Sequence, residues 1–273
     1  MVKLHDIEII LEAYKLDNKI LQDFYSWFND YVRGFYSEDT DIQFNIKLKE
    51  EHTLRVCENI LSISNSIGLH EDGILIAQTI ALFHDVGRFG QYIKYRTFSD
   101  YRSENHAMLG IKVLEEFKVL DILPEYEKEI ILKAIGYHNV CVLPDGEDER
   151  CILFSKLIRD ADKLDIFGIL AKYYETPGDF PHFKGGGTSG INGYSEKVVL
   201  DVLNSRNVLY TDVKTSHDMK LLRLSWIFDI NFKYTLLQIK ERGFIEKIIK
   251  ALPSNEEILK VSKYIEEYIT GRL

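Results

Sequence analysis

Six side chains in this sequence could bind a transition metal: His52, His84, Asp85, His106, His138 and Asp162. Imidazole nitrogen with carboxylate oxygen suits manganese, iron, cobalt, nickel or zinc, and suits calcium poorly. One carboxylate can bridge two such ions about 4 Å apart, and a metal pair of that kind activates a water between them. A lone histidine on an apolar helix is more often a hydrogen-bonded core residue, so the six carry weight only as a set. Asp162 stands out singly. At helical spacing its neighbours are Ile158 and Ile166, and a carboxylate on such a stripe is costly to bury unless paired or metal-bound. A salt bridge to Arg159 or Lys163 is the plain alternative. Asp160 and Asp165 are its rivals as a ligand, with Asp165 also placed to support a ligand histidine.

The elements that must position these groups read as helices. Prolines number five, and no series of alternating apolar runs suggests strands. The apolar period predicts helices over about 17–36, 44–67, 71–86, 103–118, 125–138, 150–174, 194–205, 215–241, 243–252 and 255–270. Ser103, Glu104 and Asn105 make one helix start, and Asn255 before two glutamates makes another. The helix ending in His84-Asp85 is apolar nearly all round, which predicts a central position and directs two polar groups to one interior point. The expected fold is all-α. Two segments read as loops, 87–102 and 176–193. The second contains Gly185-x-Gly187-x-x-Gly190, which lacks the strand that a dinucleotide fingerprint requires before it and reads as a flexible loop.

The first loop carries charge. Arg88, Lys94, Arg96 and Arg102 oppose one acid, Asp100, in a chain of net charge −9. This local excess suits an anionic substrate. Phe89, Tyr92, Tyr95 and Phe98 either stack on a base or pack internally. The acidic balance argues against long nucleic acids as partners. Three cysteines without a CxxC pair exclude a disulfide framework and a zinc–cysteine site. No apolar run spans a bilayer and the N-terminus lacks a signal-peptide pattern, so no membrane partner and a cytoplasmic location are expected.

The order His52, His84-Asp85, then Asp162 within Ala161-Asp162-Lys163-Leu164-Asp165 resembles the HD superfamily of metal-dependent phosphohydrolases. Gly87 and Arg88 after the dyad resemble one of its motif variants, and His106 and His138 resemble the extra histidines of its binuclear branch. Two stretches look like an uncharacterised prokaryotic subgroup. One is Arg88-Phe89-x-Gln91-Tyr92-x-x-Tyr95-x-Thr97-Phe98-x-Asp100, the other Trp226-Ile227-Phe228-Asp229-Ile230-Asn231-Phe232. The resemblance implies a single helical bundle over 1–273, with its motif-bearing core at about 46–175. Extra N-terminal helices precede that core, and a C-terminal extension covers about 190–273. It implies one or two divalent metals: His52, His84, Asp85 and Asp162 on the first, Asp85 bridging to a second on His106 and His138. Asp85 and Arg88 become the catalytic candidates, and Arg88, Gln91, Tyr95, Arg96 and Asn139 the substrate contacts. The substrate implied is a small phosphorylated molecule, a class that includes nucleotides. The same ligand order serves diiron oxygenases resembling inositol oxygenase, and would also serve a nucleotide-sensing module without turnover. Cyclic-di-nucleotide hydrolysis is not implied, because His138 follows Gly136-Tyr137 where that branch has proline.

Overall fold

The computed structural model describes residues 16–180 and 193–273, and among them every regular element is a helix. The chain divides between Arg159 and Asp160 into two compact units. The first holds α1 (Asn18–Arg33), α2 (Thr40–Ser66), α3 (Glu71–Phe83), α4 (Gly87–Tyr95), α5 (His106–Glu116), α6 (Glu125–Tyr137) and the start of α7 (Glu149–Glu175). The second holds the rest of α7 with α8 (Glu196–Leu203), α9 (Ser216–Ser225), α10 (Lys233–Glu241), α11 (Phe244–Ile249) and α12 (Glu256–Arg272). The Gly185–Gly190 run lies outside the described residues. No helix among the described residues is long and apolar enough to cross a membrane.

In the first unit, Asp17, Asp39 and Asn105 cap α1, α2 and α5 by accepting backbone N–H groups, which satisfies donors that a helix start leaves open. Helix α3 is buried on all sides from Leu75 through Phe83, apart from Gln78. It packs against α1, α2 and α6, as its all-round apolar sequence requires. An aromatic cluster on α1 closes over its end: Trp27 meets Phe83 edge-to-face at 5.7 Å, and Phe28 meets Phe89 at 5.9 Å. Phe89 and Tyr92 are therefore core residues, which answers the stacking question for those two.

The expected loop over 87–102 is instead helix α4 followed by a short 3-10 turn, Asp100–Arg102. Its glycine is not a breaker. A β-carbon on Gly87 would lie 2.3 Å from the His106 carbonyl oxygen and 2.5 Å from the Gly110 nitrogen. The missing side chain lets α4 start against the first turn of α5.

In the second unit, Leu164, Phe167, Val198, Val202, Leu221, Leu224, Ile239, Ile248, Val261 and Ile265 form the core. Thr215 and Asp218 make a reciprocal capping box at the start of α9. The single helix expected over 215–241 is broken. Trp226–Asp229 tightens to 3-10, and the chain stays extended until α10. The cause is Asp160, whose buried carboxylate accepts the Asn231 N–H at 2.9 Å, the Phe232 N–H at 3.0 Å and the Asn231 side-chain amide at 2.9 Å. The Asn231-Phe232 stretch thus has a structural use.

Candidate metal centre

His84 and His138 each follow directly on a helix, α3 and α6. The last carbonyls of a helix have no N–H partner within it. Each imidazole takes one of them: His84 Nδ1 meets the Ala81 oxygen at 2.7 Å, and His138 Nδ1 meets the Ile135 oxygen at 2.7 Å. His106 is the first residue of α5, and its Nδ1 meets Asp100 Oδ2 at 2.6 Å. A carbonyl or an ionised carboxylate can only accept, so the partners assign the ring proton to Nδ1 in all three. Each Nε2 then presents a lone pair. His52 reaches the same place from the buried face of α2.

Asp85 stands among the four rings. Its Oδ2 lies 3.5 Å from His52 Nε2 and 3.7 Å from His84 Nε2. Its Oδ1 lies 3.3 Å from His106 Nε2 and 3.9 Å from His138 Nε2. Each oxygen also has a cation: Lys49 Nζ donates to Oδ2 at 2.7 Å, and Arg88 Nε donates to Oδ1 at 3.3 Å. Burial opposes ionisation of Asp85, but Lys49 and Arg88 outweigh it and hold the carboxyl well below the usual range. Burial and Arg88 push His106 below its ordinary value, against the pull of Asp100 and Asp85.

Two groups here could hold a metal ion, with candidate ligand atoms all within 4.8 Å of one another: His52, His84 and Asp85, and Asp85, His106 and His138. The residues fit such a group. His106 Nε2 and His138 Nε2 lie 2.8 Å apart, yet both rings already carry their proton on Nδ1. Two facing lone pairs at that distance repel unless a cation sits against them. The donor set of imidazole nitrogens and carboxylate oxygens is the one that zinc, manganese, iron, cobalt and nickel accept.

Residues 50–166 match the family model for the HD domain, a span that contains all six candidate ligands. That stretch is similar to the HD domain. No curated protein and no solved structure matches the chain.

Further polar groups that the sequence did not single out as parts of the site surround it. Lys49 lies one helical turn before His52, a spacing visible in hindsight. Asp100 stands in the sequence as one acid in a basic stretch and as the end of the motif that begins at Arg88. Its Oδ1 accepts Arg88 Nη1 at 2.9 Å and Gln91 Nε2 at 3.0 Å, and its Oδ2 accepts His106 Nδ1 and, at 3.2 Å, Asn139 Nδ2. Arg159 donates to the carbonyls of Tyr137 at 3.1 Å and Val140 at 2.5 Å, which fixes the chain on either side of His138.

The residues expected to contact substrate are engaged with protein groups. Arg88 Nη1 donates to Gln91 Oε1, the Phe98 carbonyl and Asp100. Gln91 is buried, and its amide donates to Asp100, Ser103 Oγ and the Glu104 carbonyl. Tyr95 and Lys94 bond Glu104, and Arg96 pairs with Asp39. The local positive excess counted from the sequence is thus largely offset by acids brought in from elsewhere in the fold. Asn139 sits beside the Asp100–His106 pair, and Phe98 lies under Lys49 and Arg88, at 5.5 and 5.9 Å from its ring centre.

Asp162 lies in the second unit, half-buried on α7. One of its rivals as a ligand and one of its expected salt-bridge partners have other uses. Asp160 holds Asn231 and Phe232, and Lys163 pairs with Asp229 at 2.7 Å.

Proposed function

We propose that this chain is a metal-dependent phosphohydrolase or phosphodiesterase for a small phosphorylated molecule, with nucleotides in that class. The observation that carries the reading is the shared carboxylate of Asp85, each oxygen of which faces two buried imidazoles and one cation. A divalent transition metal bound here would supply Lewis acidity and would let a bound water lose a proton near neutral pH. His52, His84 and Asp85 would hold one ion, and Asp85, His106 and His138 a second. The fixed Nδ1 protons keep the Nε2 lone pairs turned inward, so little reorganisation is needed on binding. Lys49 and Arg88 flank the carboxylate and are the cations nearest to where phosphoryl oxygens would gather. Asn139 is the proposed substrate contact on the opposite side. Gln91 serves the site by holding Arg88 and Asp100, while Tyr95 bonds Glu104 and Arg96 pairs with Asp39.

The test is elemental analysis of purified protein, followed by a phosphate-ester panel on chelated protein reloaded with each metal in turn. The expected result is two metals per chain and phosphate release that chelation abolishes. His138→Ala should take the stoichiometry toward one and cost turnover by orders of magnitude. Failure of every ester with every metal, or dioxygen consumption by the iron-loaded protein, would overturn the hydrolase.

A further inference from the structure

We infer that Asp100 is a positioning residue that holds His106 in the one tautomer able to receive a metal, and so decides whether the second half of the centre can fill. The inference rests on the metal reading above.

His84 and His138 close helices, and each finds an acceptor in the last turn of its own helix. His106 opens a helix. At that end the backbone offers N–H groups and no carbonyl of a preceding turn. Its Nδ1 proton therefore needs an acceptor from another segment, and Asp100 supplies one at 2.6 Å. Of His84, His106 and His138, His106 alone takes its Nδ1 partner from a side chain.

The alternative tautomer is close at hand. His138 keeps its proton on Nδ1 because a carbonyl holds it there. With the proton on Nε2 instead of Nδ1, His106 would donate to His138 Nε2 across 2.8 Å. That hydrogen bond would use both lone pairs which the metal requires. Asp100 opposes it in two ways. It accepts the Nδ1 proton, and its charge raises the basicity of Nε2.

Asp100→Asn discriminates because an amide has one acceptor and one donor end. Arg88 and Gln91 both donate to the Oδ1 side. The charged Arg88 makes the stronger bond, so the amide oxygen takes that side. The amide N–H then faces His106 Nδ1, forces the proton onto Nε2 and closes the ring pair.

The experiment follows the histidine protons of chelated protein at pH 8 by nitrogen-15 NMR, and separately titrates zinc alone by calorimetry. In the wild type His106 should carry its proton on Nδ1, and in Asp100→Asn on Nε2. The variant should bind its first zinc as the wild type does and its second about 10–100-fold more weakly. An Nε2 proton on His106 in the wild-type protein overturns the inference, and this arm needs no variant to fold. Nδ1 protonation retained in Asp100→Asn overturns it too, as does a second zinc bound within about threefold of wild type. If the wild type binds no zinc, the metal reading fails by itself, and the NMR arm still decides what Asp100 does to His106.

Discussion

Replacing Asp85 with asparagine removes one charge from the middle of four imidazoles and two cations, and its consequences can be separated. In metal-free protein the carboxylate pairs with Lys49 at 2.7 Å and Arg88 at 3.3 Å, with Asp85, Lys49 and Arg88 side chains only 3%, 16% and 14% exposed. Arg88 keeps Gln91, Phe98 and Asp100 as partners, so the amide strands one ammonium, that of Lys49. Breaking a buried pair costs about 3–5 kcal/mol. Because Lys49 retains some water, the lower end applies, about 3 kcal/mol. With a urea slope of about 2–3 kcal/mol per molar, the midpoint in chelator should fall by roughly 1 M. Trp27, packed on Phe83 just before His84, reports this unit by fluorescence in a Trp226→Phe background. The wild type should gain about 2.7 kcal/mol per site at a metal concentration a hundredfold above the dissociation constant, and Asp85→Asn should gain none. Adding Lys49→Met to Asp85→Asn removes the stranded charge and should return about 2 kcal/mol without returning the metal response. An unchanged midpoint for Asp85→Asn in chelator would refute the buried pair. A full metal response in the variant would refute the shared ligand.

Two further outcomes follow from the same geometry. Gly87→Ala forces a β-carbon onto the His106 carbonyl and the Gly110 nitrogen. Backbone cannot swing aside as a side chain can, so the cost should reach about 3 kcal/mol, or a Tm lower by about 6–12 °C; a Tm within 2 °C or so of wild type would contradict the close approach of α4 to α5. The acid response should come in two stages. Burial lowers His106 from 6.5, so on acidification the unfolded chain takes its proton first. The stability this group contributes is present above pH 6.5 and lost as pH falls below it. Asp85 and Asp100 are held below 3.8, so their contribution is lost only below that value. Urea midpoints of metal-free protein should therefore decline from pH 7 to pH 5, and His106→Gln should flatten that decline; a slope that persists in the variant assigns it elsewhere.

Much of this molecule is determined locally. The 3.6-residue apolar period marks nearly every helix because burial of one stripe is a one-dimensional property of the chain. It also marks α3 as central, because a helix apolar all round has nowhere else to go. The residue types and their order, His52, His84-Asp85, His106 and His138, name the chemistry for the same reason: imidazole and carboxylate have few other uses in an apolar interior. What the tertiary structure decides is which distant groups meet. Gly87 reads as a loop residue from its propensity and is instead the contact that seats α4 on α5. The break after α9 depends on Asp160, about 70 residues away. The basic stretch after His84-Asp85 counts as an anion site until Asp39, Asp85 and Glu104 pair with Arg96, Arg88 and Lys94. Lys49 and Asp100 are ordinary charged residues in the sequence, and only packing gives one a bond to Asp85 and the other to His106. Local sequence encodes periodicity and chemistry, while ion pairs and tautomers depend on distances between segments, and those exist only once the core has closed.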